Sequence, residues 1–307
     1  MNKISFYKYQ GAGNDFVMLD NRSGDYNELN AIGIAALCNR KYGVGADGVI
    51  MLEVGLPHSP ASACGGILQM RYYNADGSEA SFCGNGGRCF ALFAHHLGLS
   101  KQCEGVALVT FVAGDGRHEA AVYSEKRIQI SMRSVQSINV CNSHGNTLTV
   151  LDTGVPHGVV FTQSLNACNV IEDGRKIRND KQFPDGVNVD FVERVGSGNI
   201  RLRTYERGVE DETDACGTGA VAAAIAAINS EYPSDNNPSG NNAGTTTNNS
   251  KEYLKEFGMY EVNVETKTAT LKVYFTLDGG SAKNIILEGP VAKVFEGSIT
   301  LAGNFKK

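Results

Sequence analysis

Stretches of alternating apolar and polar residues, rich in β-branched side chains, recur along most of the chain and predict β-strands. These stretches lie at residues 16–20, 49–53, 108–112, 127–132, 147–151, 187–192, 200–205, 260–265, 270–276 and 284–288. Helical spacing of apolar residues is rarer and predicts helices at 29–39, 86–97 and 219–228. Many strands with a few long helices predict an α+β protein in which sheets wrap around helices.

Residues 229–250 interrupt this pattern. They contain seven asparagines together with Gly, Ser, Thr and Pro, and almost no apolar residues. A segment of this composition cannot bury enough apolar surface to offset the entropy of ordering it. We therefore expect a flexible insertion that carries no chemistry.

Composition sets the size of the core and argues against two classes of partner. The chain has 307 residues, of which 42% are hydrophobic and 20% charged, enough for one large domain or two ordinary ones. The net charge of −5 offers neither a basic stripe for nucleic acid nor a polybasic anchor for a membrane. The polar first residues do not resemble a signal peptide, and no apolar run is long enough to cross a membrane. We expect a cytoplasmic protein with eight free cysteine thiols.

An internal repeat is the most informative feature of the sequence. Arg71 leads in twelve residues to Cys83, and Arg203 leads in thirteen residues to Cys216. Both blocks follow the order strand, acidic turn, Cys-Gly-x-Gly and Ala-rich helix. The repeat predicts two similar halves whose Cys-Gly-x-Gly turns face each other across a cleft.

The two turns suit a thiol-based acid and base. A helix beginning directly after a Cys-Gly-x-Gly turn presents unpaired N–H groups and the positive end of its dipole. That environment lowers the pKa of a thiol and binds a carboxylate. With one sulfur on each side of an amino acid's Cα, one thiolate removes the α-proton and the opposite thiol returns a proton to the other face. We therefore predict a small amino-acid substrate, inversion at Cα, and neither cofactor nor metal.

Competing sites have weaker support in the sequence. No Gly-Lys-Ser/Thr follows the glycine-rich stretches, as a nucleotide site would require. The Cys-x2-Cys and His-x3-His spacings of a zinc site do not occur, and neither does the Cys-x2-Cys of a thioredoxin-like dithiol. The polar side chains near the turns have candidate tasks instead: Glu206 to accept an ammonium group, Arg207 to bind a carboxylate, and His157 to adjust the protonation of a thiol.

At these motifs the chain resembles the diaminopimelate epimerase family. The resemblance covers nearly the whole chain outside 229–250. It rests on the motifs GAGNDF at 11–16, GVGADG at 43–48, YNADGSE at 73–79, CGNGGRC at 83–89, GVPH at 154–157, GVNV at 186–189, ERG at 206–208 and ACGTG at 215–219. The two cysteine motifs, in this order and context, are the most specific.

The resemblance implies two pseudo-symmetric halves, each a mostly antiparallel sheet wrapped around a central helix. The last strand is expected to return to the first half. The N-terminal half would then comprise 1–130 plus 291–307 and carry Cys83, and the C-terminal half would comprise 131–290 and carry Cys216. The implied reaction interconverts LL- and meso-diaminopimelate on the route to lysine and peptidoglycan, without a cofactor. Many members of the family are homodimers, so a homodimer is possible.

By motif position, Cys83 and Cys216 would be the catalytic pair, and His157 and Glu206 would tune their pKa values. The residues implied to bind substrate are Asn14, Asn74, Gly84, Asn85, Asn188, Glu206, Arg207, Gly217 and Thr218. Two positions depart from the family pattern: Val155 stands where many members have Asn, and Gly48 where some have Gln. Both changes affect the expected contacts to the substrate and leave the cysteine pair intact.

Other functions remain open on sequence grounds. A proline or hydroxyproline racemase would share the architecture but would not need the Glu206–Arg207 pair for a second amino-acid head group. An isomerase of the phenazine-pathway type is not expected to hold both cysteines. An amino-acid-binding protein would tolerate their loss. Two facing reactive thiols would also form a Cys83–Cys216 disulfide under oxidation, and thiol titration of oxidised protein checks this expectation.

Overall fold

The computed structural model describes residues 3–55, 67–231 and 258–301. The chain divides into two compact units, one formed by residues 1–130 with 289–307 and the other by residues 131–288. Sheets dominate both units, and the described residues contain four α-helices, as the α+β prediction requires.

The first unit is a mixed, largely antiparallel sheet. Its pairings give the order β19–β1–β2–β3–β4–β7–β8–β9, in which β2–β3 and β4–β7 are parallel and the other pairs antiparallel. The short strands β5 and β6 pair with β4 and β7. The strands are β1 (Lys3–Gly11), β2 (Asn14–Asp20), β3 (Gly48–Gly55), β4 (Ile67–Asn74), β5 (Glu79–Ala80), β6 (Lys101–Cys103), β7 (Val106–Ala113), β8 (Gly116–Ser124), β9 (Arg127–Ser131) and β19 (Ala292–Thr300).

A buried helix packs against most strands of this sheet. Helix α2 (Gly84–His96) packs against β1, β2, β3, β4, β7 and β8, and its residues 84–94 are all buried. Its apolar side chains therefore form the core, and its first turn is fixed in position by the surrounding strands. A shorter helix, α1 (Ala31–Cys38), lies against β3 and begins at Asn30, whose side chain accepts a hydrogen bond from the Gly33 N–H.

The second unit repeats this plan strand for strand. Its order is β10–β11–β12–β13–β14–β16–β17–β18, in which β12–β13 and β14–β16 are parallel and the other pairs antiparallel. The strands are β10 (Ile138–Ser143), β11 (Asn146–Asp152), β12 (Pro156–Thr162), β13 (Asn188–Gly196), β14 (Asn199–Glu206), β15 (Asp211–Thr213, paired with β14), β16 (Tyr260–Glu265), β17 (Thr270–Asp278) and β18 (Ser281–Gly289).

The central helix of the second unit is α4 (Gly217–Glu231), which packs against β11, β12, β13, β14, β16 and β17. A 3-10 turn at Leu165–Ala167 precedes helix α3 (Val170–Arg178), which covers β13 and β14. The prediction of two similar halves, each with a sheet around a central helix, is thus confirmed within each unit. In each unit the central helix begins directly after the cysteine, so the same local structure occurs twice.

Two sequence predictions need correction. Helix α3 was not predicted. Its buried residues Val170, Gly174 and Ile177 lie on one face, and the glycine lets the helix lie on Tyr205, whose Cβ would be 2.5 Å from an added methyl carbon. Helix α4 continues to Glu231, so residues 229–231 of the predicted insertion are helical. Residues 232–250, the remainder of that prediction, lie outside the described residues.

Across the described parts of the chain, no helix combines the length and apolarity needed to span a membrane. In the same residues, no cluster of three or more His, Cys, Asp or Glu side chains is arranged to hold a metal ion.

Candidate active site

Cys83 is the N-cap residue of helix α2. Its backbone is extended, with φ −141° and ψ 123°, and its Sγ accepts a hydrogen bond from the Gly86 N–H at 3.4 Å. The Gly87 N–H donates to the Cys83 carbonyl at 2.7 Å, which closes the first helical turn. A half-buried sulfur therefore lies at the positive end of a buried helix, where N–H donors favour a thiolate.

Asn85 and Arg88 line the first turn of the same helix. Asn85 donates to Asn14 Oδ1 at 2.6 Å and accepts from the Arg88 guanidinium at 2.7 Å. Arg88 is fully buried, and its Nε has no hydrogen-bond partner among the described residues. Burial lowers the pKa of Arg88 to about 10, against the opposing effect of the Cys89 and Cys83 thiols. The group is still cationic at neutral pH, so a buried positive charge lies in the turn that carries Cys83.

An ion-pair network fixes the strand end that carries Asn14. Arg40 bridges Asp15 at 2.8 Å and Asp47 at 2.7 Å, and Lys8 contacts Asp15 at 2.8 Å. The Asn14 amide donates to Asp47 Oδ2 at 3.1 Å. Although burial alone would raise it, hydrogen bonds from Arg40 and Lys8 hold the pKa of Asp15 at about 2. The network orients Asn14 toward the Cys83 turn.

Asn74 is placed differently from the other predicted residues of this unit. It ends strand β4, and its side-chain amide donates to Ser78 Oγ at 3.1 Å. Its backbone N–H bonds the Ser78 carbonyl at 2.9 Å. Its side-chain amide and its backbone N–H thus both bond within the 74–78 turn. Hydrogen bonds join Asn14 and Asn85 to the turn that carries Cys83 and Gly84.

Cys216 has the same local geometry in the second unit. Its Sγ accepts from the Gly219 N–H at 3.4 Å, and its carbonyl accepts from the Ala220 N–H at 2.9 Å. In contrast to Cys83, its side chain is buried, with 6% exposed. Thr218 Oγ1 lies 3.3 Å from the Cys216 sulfur, so the hydroxyl of the turn itself contacts the thiol.

His157 and Asp190 continue this contact into the core. His157 Nε2 lies 3.0 Å from Thr218 Oγ1, and His157 Nδ1 lies 2.6 Å from Asp190 Oδ2. Thr204 donates to the other carboxylate oxygen of Asp190 at 2.7 Å. Both His157 and Asp190 are fully buried. Side chains from β12, β13 and β14 thus form one hydrogen-bonded chain that ends at Cys216.

Asn188, Glu206 and Arg207 lie beside this chain. The Arg207 backbone N–H donates to Asn188 Oδ1 at 2.7 Å, which turns the Asn188 amide nitrogen toward His157 Nε2 at 3.4 Å. The Arg207 guanidinium donates to the carbonyls of Asp185 at 3.1 Å and Gly186 at 3.5 Å. The structure therefore brings all predicted site residues of this unit into one neighbourhood.

The pKa of Cys216 differs from the sequence expectation. Burial raises it well above its usual value, and the charges of Glu206 and Asp190 raise it further. The hydrogen bonds from Thr218 and the Gly219 N–H act in the opposite direction but do not compensate. For Cys216 the pKa shift is therefore opposite in direction to the one expected from a helix N-terminus, because burial and two nearby carboxylates oppose the thiolate.

The two departures from the family pattern have local structural contexts. A Cβ at Gly48 would lie 2.4 Å from the Tyr73 carbonyl oxygen and 2.7 Å from the Tyr72 ring, so no side chain fits there without displacing strand β4. Val155 lies in the turn before β12, half-buried, with an apolar side chain that offers no hydrogen bond.

Sequence analysis missed Asp190, Arg88 and Thr204 as members of the site. A usable signal existed for Asp190, since a carboxylate at a buried position of a strand requires partners. A similar signal existed for Arg88, which directly follows the glycines of the first cysteine turn and lies on a helix with no other charged residue before His95. For Thr204 no signal in the sequence distinguished it from an ordinary strand residue.

Comparison with known proteins agrees with the motifs. The family model for diaminopimelate epimerase matches residues 6–137 and 149–241. A protein named diaminopimelate epimerase from Flavobacterium psychrophilum is 37% identical over 96% of this chain and 100% of its own length. One of the same name from Chlorobaculum tepidum is 36% identical over 95% of this chain and 99% of its own length.

Solved structures show the same fold at low identity. A phenazine biosynthesis protein of the PhzF family from Bacillus anthracis has a TM-score of 0.66 at 16% identity, covering 98% of this chain and 100% of its own. A probable proline racemase from Agrobacterium radiobacter has a TM-score of 0.64 at 15% identity, covering 97% and 93%. With the family model and full-length relatives above 30% identity in agreement with both cysteine turns, the chain belongs to the diaminopimelate epimerase family.

Proposed function

We propose that this chain is a diaminopimelate epimerase that interconverts LL-2,6-diaminopimelate and the meso isomer, with Cys83 and Cys216 as its two proton-transfer groups. The observation that carries the proposal is the duplicated thiol: in each unit a cysteine sulfur accepts the N–H of the third following residue at 3.4 Å, at the start of a buried central helix. Family membership supplies the substrate.

Each reaction step balances with these two groups alone. The thiolate of one cysteine takes the α-proton, which leaves an enolate-like charge on the substrate's carboxylate. The thiol of the other cysteine then gives its proton to the opposite face of Cα. The N–H groups at a helix start are unpaired within the helix and stabilise the developing negative charge. The reverse reaction uses the same groups with exchanged roles.

The residues around the turns have matching tasks. Asn14 and Asn85 present amides beside Cys83. Glu206 offers an anion that acts on Cys216, and the next residue, Arg207, offers a cation. A carboxylate and a guanidinium suit an ammonium and a carboxylate of the substrate. Diaminopimelate has a second amino-acid head group that can pair with Glu206 and Arg207, and proline lacks such a group.

Proton exchange at Cα tests the proposal. Reduced protein with LL-diaminopimelate in deuterated water is expected to yield the meso isomer, with deuterium at the inverted centre by NMR. Exchange with proline but not diaminopimelate would keep the thiol pair and overturn the substrate. The absence of exchange with any amino acid would favour a binding protein instead.

Cysteine variants test the assignment of the two bases. Cys83→Ala and Cys216→Ala are each expected to lower epimerisation by about 10²–10⁴-fold, the usual contribution of a positioned acid or base. Cys103→Ala is the matched control, since Cys103 is a free, exposed cysteine on β6. Either site variant turning over within tenfold of the control would overturn the two-base scheme.

The proposal extends to compartment and assembly. The seven cysteines among the described residues are all free, which suits a reducing cytoplasm. We also propose a homodimer, for which light scattering should give twice the 32.8 kDa chain mass; a mass equal to the single chain would contradict it.

A further inference from the structure

Hydrogen-bond direction is fixed along the whole chain of groups from Asp190 to Cys216. The Asp190 carboxylate can only accept, so His157 Nδ1 carries a proton and, in the neutral ring, Nε2 is an acceptor. Asn188 points its amide donor at the same Nε2. Thr218 therefore donates its hydroxyl proton to Nε2, and its oxygen is left to accept from the Cys216 S–H.

At the places of His157 and Asp190 the first unit has apolar residues. The strand register pairs Phe16 with Gly48 as it pairs His157 with Asn188. By the same register Ile50 occupies the position of Asp190.

Opposite those two residues the repeat also differs. Tyr72 lies opposite Ile50, whereas Thr204 lies opposite Asp190. Phe16 and Ile50 are buried apolar side chains at the places of His157 and Asp190. A buried carboxylate and imidazole are costly to desolvate, so they are not needed to form the core.

We infer that Asp190, His157 and Thr218 form a proton relay that shares the proton of Cys216 with the His157 imidazole, an inference that rests on the proposed function. The Cys216 S–H proton passes to Thr218 Oγ1 as the Thr218 hydroxyl proton passes to His157 Nε2. Two bonds to hydrogen break and two form, leaving a thiolate and an imidazolium. Asp190 and Thr218 are positioning residues for Cys216.

The relay meets a specific need of this thiol. Cys216 is 6% exposed, and the acidic groups acting on it, Glu206 and Asp190, oppose a lone thiolate. Moving the proton only as far as His157 keeps a cation between the sulfur and Asp190, so no uncompensated anion forms in the core. Cys216 can then serve as base in one direction and as acid in the other.

Asp190→Asn is the decisive variant, because two hypotheses predict opposite signs. If Asp190 acts on Cys216 only through its charge, removing that charge makes the thiolate easier to form and alkylation faster. If the relay operates, the variant loses the anion that stabilises the imidazolium, and the pKa of the Cys216 thiol rises. Alkylation of Cys216 by iodoacetamide at pH 7 then slows about tenfold for each unit by which this pKa rises. Peptide-resolved mass spectrometry of the ligand-free, reduced full-length protein measures this rate across pH.

Two further variants separate the relay from general damage. Thr218→Val removes the bridging hydroxyl while keeping the side-chain shape, and is expected to slow alkylation of Cys216; Thr218→Ser should restore it. Thr153→Val is the matched control, since buried Thr153 donates to the Thr218 carbonyl at 3.2 Å but lies off the relay. It should change the rate less than twofold.

If Asp190→Asn does not fold, the relay can still be tested in protein that keeps Asp190, His157 and Thr218. With ¹⁵N-labelled histidine, His157 should show a protonated Nδ1 and an unprotonated Nε2, and its Nε2 resonance should move when Cys216 is alkylated. An Asp190→Asn rate equal to or above wild type, or a His157 resonance insensitive to Cys216, would overturn the relay. None of these readouts uses diaminopimelate, so failure of the proposed substrate is detected separately by the exchange assay.

Discussion

The same substitution, glycine to alanine at the third residue after each cysteine, should have different effects in the two units. A Cβ at Gly219 would lie 2.6 Å from Asp190 Oδ1, whereas ordinary contact begins near 3.4 Å, so about 0.8 Å of overlap must be relieved. The Asp190 carboxylate cannot retreat freely, because it is bonded to His157 at 2.6 Å and Thr204 at 2.7 Å.

The magnitude follows from two opposing contributions. Losing one hydrogen bond to a charged group costs about 1.5–3 kcal/mol. Alanine gains about 0.5–1 kcal/mol over glycine in a helix. The difference predicts that Gly219→Ala lowers the free energy of unfolding by about 1–2 kcal/mol, with displacement of Asp190 from His157.

Gly86→Ala is the matched control at the equivalent position of the first unit. Its added methyl carbon would meet Ile50 Cδ1 at 2.9 Å and Met70 Cε at 3.5 Å, both ends of flexible apolar side chains. Because these ends can rotate away, we expect its stability to stay within about 1 kcal/mol of wild type. Urea unfolding followed by circular dichroism compares the two variants. Equal changes in both, or a Gly219→Ala variant more stable than wild type, would refute the argument that Asp190 is held rigidly.

Three further predictions concern charge in the first unit and the difference between the thiols. Arg88→Met removes the buried cation and should slow alkylation of Cys83 at pH 7 about tenfold, with Arg88→Lys intermediate; an unchanged rate would exclude an electrostatic role. In ligand-free protein Cys83 should be alkylated faster than Cys216, and equal rates would contradict the contrast in their surroundings. Because its two basic partners hold the pKa of Asp15 at about 2, below its ordinary 3.8, its stabilising contribution is complete above about pH 4 and disappears as pH falls through 2. Acid titration should show a loss on the order of 1–2 kcal/mol over that range, allowing for solvent screening, and Asp15→Asn should not show it.

Local periodicity sufficed to predict most of the fold. The strand at Tyr260–Glu265 has the bounds that its alternation predicts, and both central helices begin directly after the cysteines. These elements could be predicted because each buries one face against a neighbour, which imposes a period on the sequence. Helix α3 lacked this clarity, since Gly174 is explained only by its contact with Tyr205, a residue 31 positions later.

The site was predictable only where a motif names its residues. The cysteines, Asn85 and Thr218 belong to short motifs and could be assigned from the sequence. Asp190 lies between the apolar residues Val189 and Phe191 of β13, and its partner His157 is 33 positions away on the neighbouring parallel strand. A hydrogen bond between such positions depends on strand register, which a single sequence does not specify. The raised pKa of Cys216 likewise depends on the burial of the folded unit.

The two units share a fold but give their thiols opposite electrostatic surroundings. Cys83 is half-buried near the cationic Arg88, whereas Cys216 is buried near two carboxylates, Asp190 and Glu206. Two thiols in identical surroundings would have equal intrinsic pKa values, yet an epimerase needs one protonated and one ionised thiol before each turnover. Burial and the charges of Glu206 and Asp190 favour the proton on Cys216, whereas the Arg88 cation favours an anion in the turn of Cys83. The relay through Thr218 then lets His157 hold the Cys216 proton when Cys216 acts as the base, which a reversible reaction also requires.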